Sequence, residues 1–212
     1  MKILILGAAG QISRLVTEKL LTESNHSLVL LARNGLNRIN ITDVNREHVI
    51  DGDFTDINIV KKALEGIDAV YLNDLNSLAG VGTVVEAMES CNVNILIAAS
   101  ILGIYGEVPG AFGKWNERMV GTSGIKRHRQ AADIIENSSL CYTILRLTWL
   151  YNQTGNIDYQ VTQKGEPFVG AQVTREAVAQ LILDIIENPK GYAYTSLGVS
   201  EPNTDWSKPS FY

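Results

Sequence analysis

The sequence predicts an α/β fold, a doubly wound parallel sheet in a single domain with a small C-terminal lobe. Three observations predict it. Short apolar runs recur at near-regular intervals along the 212 residues, stretches with helical spacing separate most of them, and a glycine-rich turn stands between the first run and the first helical stretch. Alternating strand and helix is the pattern that builds a parallel sheet covered on both faces. The first strand, 2–6, leads through the turn into an amphipathic helix at about 10–22. The second, 27–32, ends in Arg33-Asn34 and is followed by a polar, asparagine-rich stretch, 34–46, that lacks helical periodicity and reads as a short turn or broken helix. The third, 47–50, runs into Asp51-Gly52-Asp53-Phe54-Thr55-Asp56, where Thr55 or Asp56 is the expected N-cap of a helix at 57–65. The fourth, 68–72, precedes a helix at 78–90; the fifth, 94–99, precedes a helix at 117–138; the sixth is 141–147. Residues 148–170 carry Gly155, Gly165 and Pro167 around an alternating stretch, Asp158 to Thr162, and read as a small lobe over the sheet's edge. A helix at 173–187 is closed by Asn188-Pro189, and the tail from Glu201, with Trp206, Phe211 and Tyr212, is expected to pack across the surface. The core is therefore placed at 1–150 and the lobe and tail at 151–212.

Composition narrows the class. With 45% hydrophobic and 19% charged residues the chain has material for one well-buried domain, which excludes disorder, collagen and a disulfide miniprotein. Eighteen lysines and arginines stand against 23 aspartates and glutamates, a net charge of -5, with no run of like charge. Neither nucleic acid nor an anionic membrane is an expected partner. The apolar runs fall far short of the roughly 20 residues that span a bilayer. Met1-Lys2 followed at once by Ile-Leu-Ile-Leu-Gly lacks the features of a secretory signal. Cys91 and Cys141 lie 50 residues apart without neighbouring histidines and are expected to be reduced core thiols of a cytoplasmic protein. His26, His48 and His128 have no ligand spacing, so no metal is expected, and His128 reads as a helix-surface residue. No serine lies in a Gly-x-Ser-x-Gly elbow, which removes support for hydrolase chemistry.

The turn Gly7-Ala8-Ala9-Gly10-Gln11-Ile12-Ser13-Arg14 joins strand to helix, the context in which such a turn binds a dinucleotide. Gly7 permits the tight turn, and Gly10 lets the backbone approach a pyrophosphate held by free amides at the helix start. Gly7, Ala9, Gly10, Gln11 and Ile12 are the candidate contacts, while Ser13 stands where a small residue lets helix and strand pack closely. No acidic residue occurs between Glu23 and Asp43. A carboxylate at the end of the second strand would bind the ribose hydroxyls of NAD, whereas Arg33 there pairs with the 2′-phosphate of NADP. NADP is thus the expected cofactor, with NAD the alternative. Arg14 and Arg38 either add to that phosphate site or are solvated charges. Asp53 is placed to accept from the adenine amino group, Phe54 to lie against the ring face, and Asn73 to lie beneath ribose and nicotinamide.

Taken in order, Gly-Ala-Ala-Gly-Gln-Ile, Leu-Ala-Arg-Asn, Asp-Gly-Asp-Phe-Thr-Asp, Asp-Ala-Val-Tyr and Tyr-Thr-Ile-Leu-Arg-Leu-Thr-Trp-Leu resemble the short-chain dehydrogenase/reductase superfamily. The resemblance is to its atypical branch of compact NAD(P)-binding proteins, which includes the NmrA-like proteins and the flavin and biliverdin reductases. It covers residues 1–150 and, less closely, 165–198, and implies a Rossmann-type fold. In the wider superfamily a tyrosine donates the proton and a lysine four residues later lowers its pKa. No tyrosine here has a lysine at that spacing. The resemblance puts Lys126 in the lysine's place, holding the nicotinamide ribose, and Thr122 in the tyrosine's. Ser100 and Tyr105 are the remaining candidate donors, and Leu147 to Trp149 are expected to close on the nicotinamide face. The segment around Ser100 and Tyr105 also resembles sugar-nucleotide epimerases, but only about 60 residues follow the sixth strand, too few for their substrate domain.

The resemblance and the residues together imply an NADPH-dependent oxidoreductase that passes hydride to a small-molecule acceptor, a flavin, a quinone or a similar conjugated compound, without the Tyr-x-x-x-Lys pair. The alternative is a non-catalytic, NADP-binding redox sensor of the NmrA-like kind, acting through a protein partner. Neither the acceptor nor the oligomeric state is written in these motifs.

Overall fold

A computed structural model describes all 212 residues. Six strands, β1 (Lys2–Leu6), β2 (Ser27–Ala32), β3 (Glu47–Asp51), β4 (Ala69–Leu72), β5 (Ile95–Ile101) and β6 (Cys141–Leu147), lie parallel in the order β3-β2-β1-β4-β5-β6. Beyond β6 the sheet continues with β10 (Thr195–Ser200), also parallel, and ends in β8 (Gln160–Thr162), antiparallel to β10. A separate two-stranded parallel sheet pairs β7 (Trp149–Tyr151) with β9 (Gln172–Thr174). The helices are α1 (Gln11–Glu23), the single turn α2 (Gly35–Arg38), α3 (Ile57–Ala63), α4 (Leu78–Ser90), α5 (Gly110–Val120), α6 (Thr122–Glu136) and α7 (Arg175–Glu187). None is long and apolar enough to cross a membrane.

The period-two geometry of the strands divides the core into two layers. Ile3, Ile5, Leu28, Leu30, Tyr71 and Leu145 face α1 and α7; Leu4, Leu6, Val29, Leu31, Val70 and Ile144 face α3, α4 and α6. Each layer buries 25 residues in one cluster, so both faces are covered, as continuous apolar strands require. Ser13 is fully buried at the start of α1, where a larger side chain would push the helix off the sheet. Asp56 caps α3 by accepting from the amides of Asn58 and Ile59, and Thr174 caps α7 by accepting from Ala177.

Several expectations are corrected. The helix expected at 117–138 is two helices, because Gly121 takes φ +79°, a left-handed conformation that ends α5 and starts α6. The start of the 173–187 helix belongs to β9, and residues 151–212 are not wholly a lobe, since β8 and β10 extend the main sheet. Neither cysteine is a core thiol: Cys91 is exposed at the end of α4 and Cys141 is half-buried at the rim where β6 begins. The tail does pack on the surface, with Ser210 donating to the side chain of Gln172 and Tyr212 set edge-on against Trp115 and Trp149.

A buried ion pair fixes the loop after β5. Arg146, in β6, is fully buried, and its Nη1 donates to Glu107 Oε1 at 2.7 Å. Glu107 also accepts from the amides of Gly103 and Tyr105, while Arg146 Nη2 donates to the carbonyls of Thr162 and Ser196. Removing one partner of such a pair strands the other in the interior. Glu107→Ala is therefore expected to destabilise the fold by about 3–5 kcal/mol in urea unfolding, and a variant with wild-type stability would contradict this role.

Candidate functional site

The strand order reverses between β1 and β4, and ligands of open α/β sheets bind at the carboxyl ends of the strands at such a reversal. Two cavities lie there. One, of about 200 Å³, is lined by Gly7, Ala9, Gly10, Arg33, Asp53 and Phe54. The other, of about 380 Å³, is lined by Gln11, Ile12, Ser100, His128, Leu147 and Thr148. Asn73 and Asp74, directly after β4, line both, so the two form one elongated cleft with Asn73 at its waist.

The first cavity has the geometry of a phosphate site. Gly7 takes φ +79° at the end of β1, a conformation open to glycine, and its amide donates to the carbonyl of Leu31. At Gly10 a Cβ would stand 2.5 Å from Asn73 Nδ2. Asn73 cannot yield easily, because Tyr71, wholly buried in the sheet, donates its hydroxyl to Asn73 Oδ1 at 2.9 Å. Burial pushes the Tyr71 phenol far above its ordinary range, so it stays a neutral donor. No side chain caps α1 and no acid stands in its first turn, which leaves the helix's free amides and positive end to an anion.

At the outer wall Arg33 is largely exposed and its Nε lies 3.7 Å from Asp53 Oδ2. Hydrogen bonds from the Thr55 amide and hydroxyl to Asp53 Oδ1 hold that carboxyl below the usual range, leaving Oδ2 as the oxygen with room for another donor. Asp51, at the end of β3, does not line this cavity; its Oδ1 accepts from the Asn34 amide at 2.8 Å. Arg38 lines the same cavity, exposed, with its Nη1 donating to the carbonyl of Arg33. The Phe54 ring packs onto Gly80 of α4, where any side chain would collide with it.

The second cavity holds an orphan. Ser100, at the end of β5, is 3% exposed and its hydroxyl has no hydrogen-bond partner. A buried polar atom without a partner is costly, and beside a cleft it can be satisfied by a water or a ligand. Together with the glycine turn and the uncapped helix, it shows that the residues present fit a dinucleotide. Leu147, Thr148 and Leu150 form the opposite wall. Trp149 does not, because alternation along the strand turns it away: its Nε1 donates to Asn116 Oδ1 and its ring packs on Trp115 and Tyr212.

Lys126 and Tyr105 also lie outside the cleft. Lys126 is exposed and lines a different cavity with Thr122, Ile125 and Arg129. Residues 126 and 128 stand about 200° apart around a helix, so α6 cannot present both to one site, and it presents His128. Tyr105 packs on the other side of the sheet, donating to Glu136 Oε1 at 2.7 Å beneath Arg129 and Lys164. Burial, reinforced by the hydrogen bond to the Glu136 carboxylate, raises its phenol well above the ordinary range and makes it a poor acid. His128, Asp74, Ala99, Ile101, Leu150 and Arg175 are the residues of this second cavity that sequence reasoning missed. For His128 the sequence signal is its helical phase, shared with the buried Ala131, Ala132 and Ile135.

Gly10→Val is expected to abolish nucleotide binding in a titration while leaving the circular dichroism of a folded chain, since the turn lies at the sheet's rim. Normal binding by that variant would refute the phosphate-turn assignment.

The NAD(P)H-binding family matches residues 7–189. A short-chain dehydrogenase/reductase of the wide type from Veillonella parvula DSM 2008, solved in complex with NADP, is 38% identical, with a TM-score of 0.95 over 99% of both chains. A Rossmann-fold NAD(P)-binding family protein from Shigella flexneri is 37% identical, with a TM-score of 0.82 over 100% of this chain and 98% of that one. ChuY, an anaerobillin reductase from Escherichia coli O157:H7, shares the fold at 20% identity, with a TM-score of 0.74 over 99% of this chain and 100% of that one. No curated protein sequence matches. With its glycine turn at the switch point and this match over most of its length, the chain belongs to the NAD(P)H-binding family of short-chain dehydrogenase/reductase-like Rossmann proteins.

Proposed function

We propose that the protein is a cytoplasmic NADPH-dependent reductase that passes hydride to a flavin, a quinone or a similar conjugated acceptor. The observation that carries this reading is the makeup of the second cavity, which offers the buried, unpartnered Ser100 hydroxyl and an imidazole but neither a phenol nor an ammonium. NADP as the cofactor is supported by Arg33 and Arg38 on the outer wall and by the NADP bound in the Veillonella relative. The unpaired Cys91 and Cys141 suit a reducing compartment.

Bound NADPH supplies the hydride; the protein binds, orients and excludes water. The backbone at Gly7 and Gly10 and the open end of α1 receive the pyrophosphate, Arg33 and Arg38 the 2′-phosphate, and Asp53 Oδ2 the adenine amino group. Ser100 gains the partner it lacks at the nicotinamide end, while Leu147 and Leu150 keep that face apolar. Reducing an aldehyde or ketone leaves an alkoxide, for which a positioned acid commonly contributes about 10² to 10⁴ in rate. A conjugated acceptor spreads the charge and demands less, which suits a site without the tyrosine and lysine.

A redox-sensing role is the second reading, favoured by the exposed rings of Trp206, Phe211 and Tyr212 in the tail, which could meet a protein partner. NADPH oxidation followed against a panel of flavins, quinones and aldehydes separates the two. Turnover at least about tenfold faster with a flavin or quinone than with aldehydes is expected; tight binding without oxidation of NADPH would favour the sensor. In calorimetry NADPH should bind at least ten times more tightly than NADH, about 1.4 kcal/mol, and Arg33→Ala should erase most of that preference. Equal affinities for the two cofactors in the wild type would overturn the NADP assignment.

A further inference from the structure

We infer that His128 is the proton donor of the reduction, a role the absent tyrosine leaves open; the inference rests on the reductase reading above and names the acid of that site. His128 lies on α6 with its side chain 12% exposed, and lines the nicotinamide end of the cleft with Ser100 and Leu147. Its Nδ1 is 3.1 Å from the carbonyl oxygen of Gly124, one turn back on the same helix. A carbonyl oxygen only accepts, so Nδ1 carries the hydrogen of that bond in either charge state. That leaves Nε2 as the nitrogen that gains and loses a proton, and Nε2 is directed towards the Asp74 carboxylate, 3.9 Å away at the waist of the cleft.

The charged neighbours leave His128 a defined setting. Asp74 faces it from the loop after β4, and Arg175, at the start of α7, lines the same cavity. On its own helix Arg127 donates to Asn76, Arg129 pairs with Asp133 and Glu136, and Lys126 lines the other cavity. His128 is therefore the side chain on α6 that can carry a transferable proton and faces the cleft.

The step balances as follows. Hydride transfer adds one hydrogen and two electrons to the acceptor, NADPH becomes NADP⁺, and the acceptor is left with one more negative charge. The Nε2–H bond of the His128 imidazolium breaks, its electron pair stays on Nε2, and the proton forms the new bond to the acceptor's oxygen or nitrogen. Water at the open cleft returns a proton to Nε2, so the net consumption is one NADPH and one proton for each acceptor reduced. Nδ1–H stays bonded to Gly124 throughout, which keeps the ring aimed.

The test combines two variants with a measurement that needs no turnover. In His128→Asn and His128→Gln, NADPH affinity should stay within about threefold of wild type, while kcat with a flavin or quinone falls about tenfold, less than the usual general-acid contribution of about 10² or more because a conjugated acceptor spreads the charge. Wild-type kcat should fall as pH rises, because the acid is the protonated form, and the variants should lose that dependence. In ¹⁵N-histidine spectra of the wild-type protein, neutral His128 should be the Nδ1–H tautomer. A neutral ring protonated on Nε2, or variants that keep the wild-type rate and pH profile, would overturn the inference while leaving the reductase reading intact. A wild-type protein that binds NADPH but reduces no acceptor would overturn both.

Discussion

The acceptor side of the molecule depends on one buried interaction, the ion pair between Arg146 and Glu107. Taking two charges out of water costs several kcal/mol each, and their attraction alone rarely makes a fold more stable than apolar packing would. What the pair supplies here is position. Glu107 collects the amides of Gly103 and Tyr105 and so fixes how the chain leaves β5, while Arg146 reaches the carbonyls of Thr162 in β8 and Ser196 in β10. Ser100 stands just before that loop and Leu147 just after Arg146. The two walls of the nicotinamide end are thus set by the same pair of side chains, although neither charge enters the cleft.

The nucleotide side is positioned by different means. No ion pair lies beneath the glycine turn; shape and one neutral hydrogen bond do the positioning. Tyr71 holds Asn73, and Asn73 fills the space next to Gly10, so a side chain at Gly10 is excluded from within as well as by any phosphate outside. The charges on this side, Arg33 and Asp53, sit at the exposed rim, where solvent screens them and where they are free to rearrange around an anion. A closely packed turn with exposed rim charges suits a tightly fitted pyrophosphate and a discriminating 2′-phosphate.

Much of this was legible in the sequence because its signals are local. Strand and helix alternation, the turn at Gly7 to Ile12, and Asn73 after the fourth strand are signals carried by neighbours within a few residues, and the structure brings Gly7, Gly10, Arg33 and Asn73 into one cleft; the acid beside Arg33, Asp53, comes from 20 residues on and is not a local signal. The misplacements arise where phase or distant pairing decides. Trp149 parts from Leu147 because β6 ends at Leu147 and Trp149 opens β7 in a separate sheet, where it faces Asn116 and Trp115 while its strand neighbour Leu150 faces the cleft. Lys126 was placed by analogy, whereas Gly121 restarts the helix and turns His128 into the cleft in its stead. β8 and β10 join the sheet through contacts with β6, far away in sequence, and Tyr105 is drawn to Glu136, 31 residues on.

The central claim is that the cleft is one continuous dinucleotide site with its nicotinamide end at Ser100 and His128. Titration of ¹⁵N-labelled protein with NADP⁺, followed by amide chemical shifts, tests it most directly. The account predicts large shifts at Gly7, Gly10, Arg33, Asn73, Ser100 and His128 that saturate together, with Lys126 and Tyr105 little changed. Saturating shifts centred on Lys126 and the 103–108 loop, with Ser100 and His128 unmoved, would contradict it.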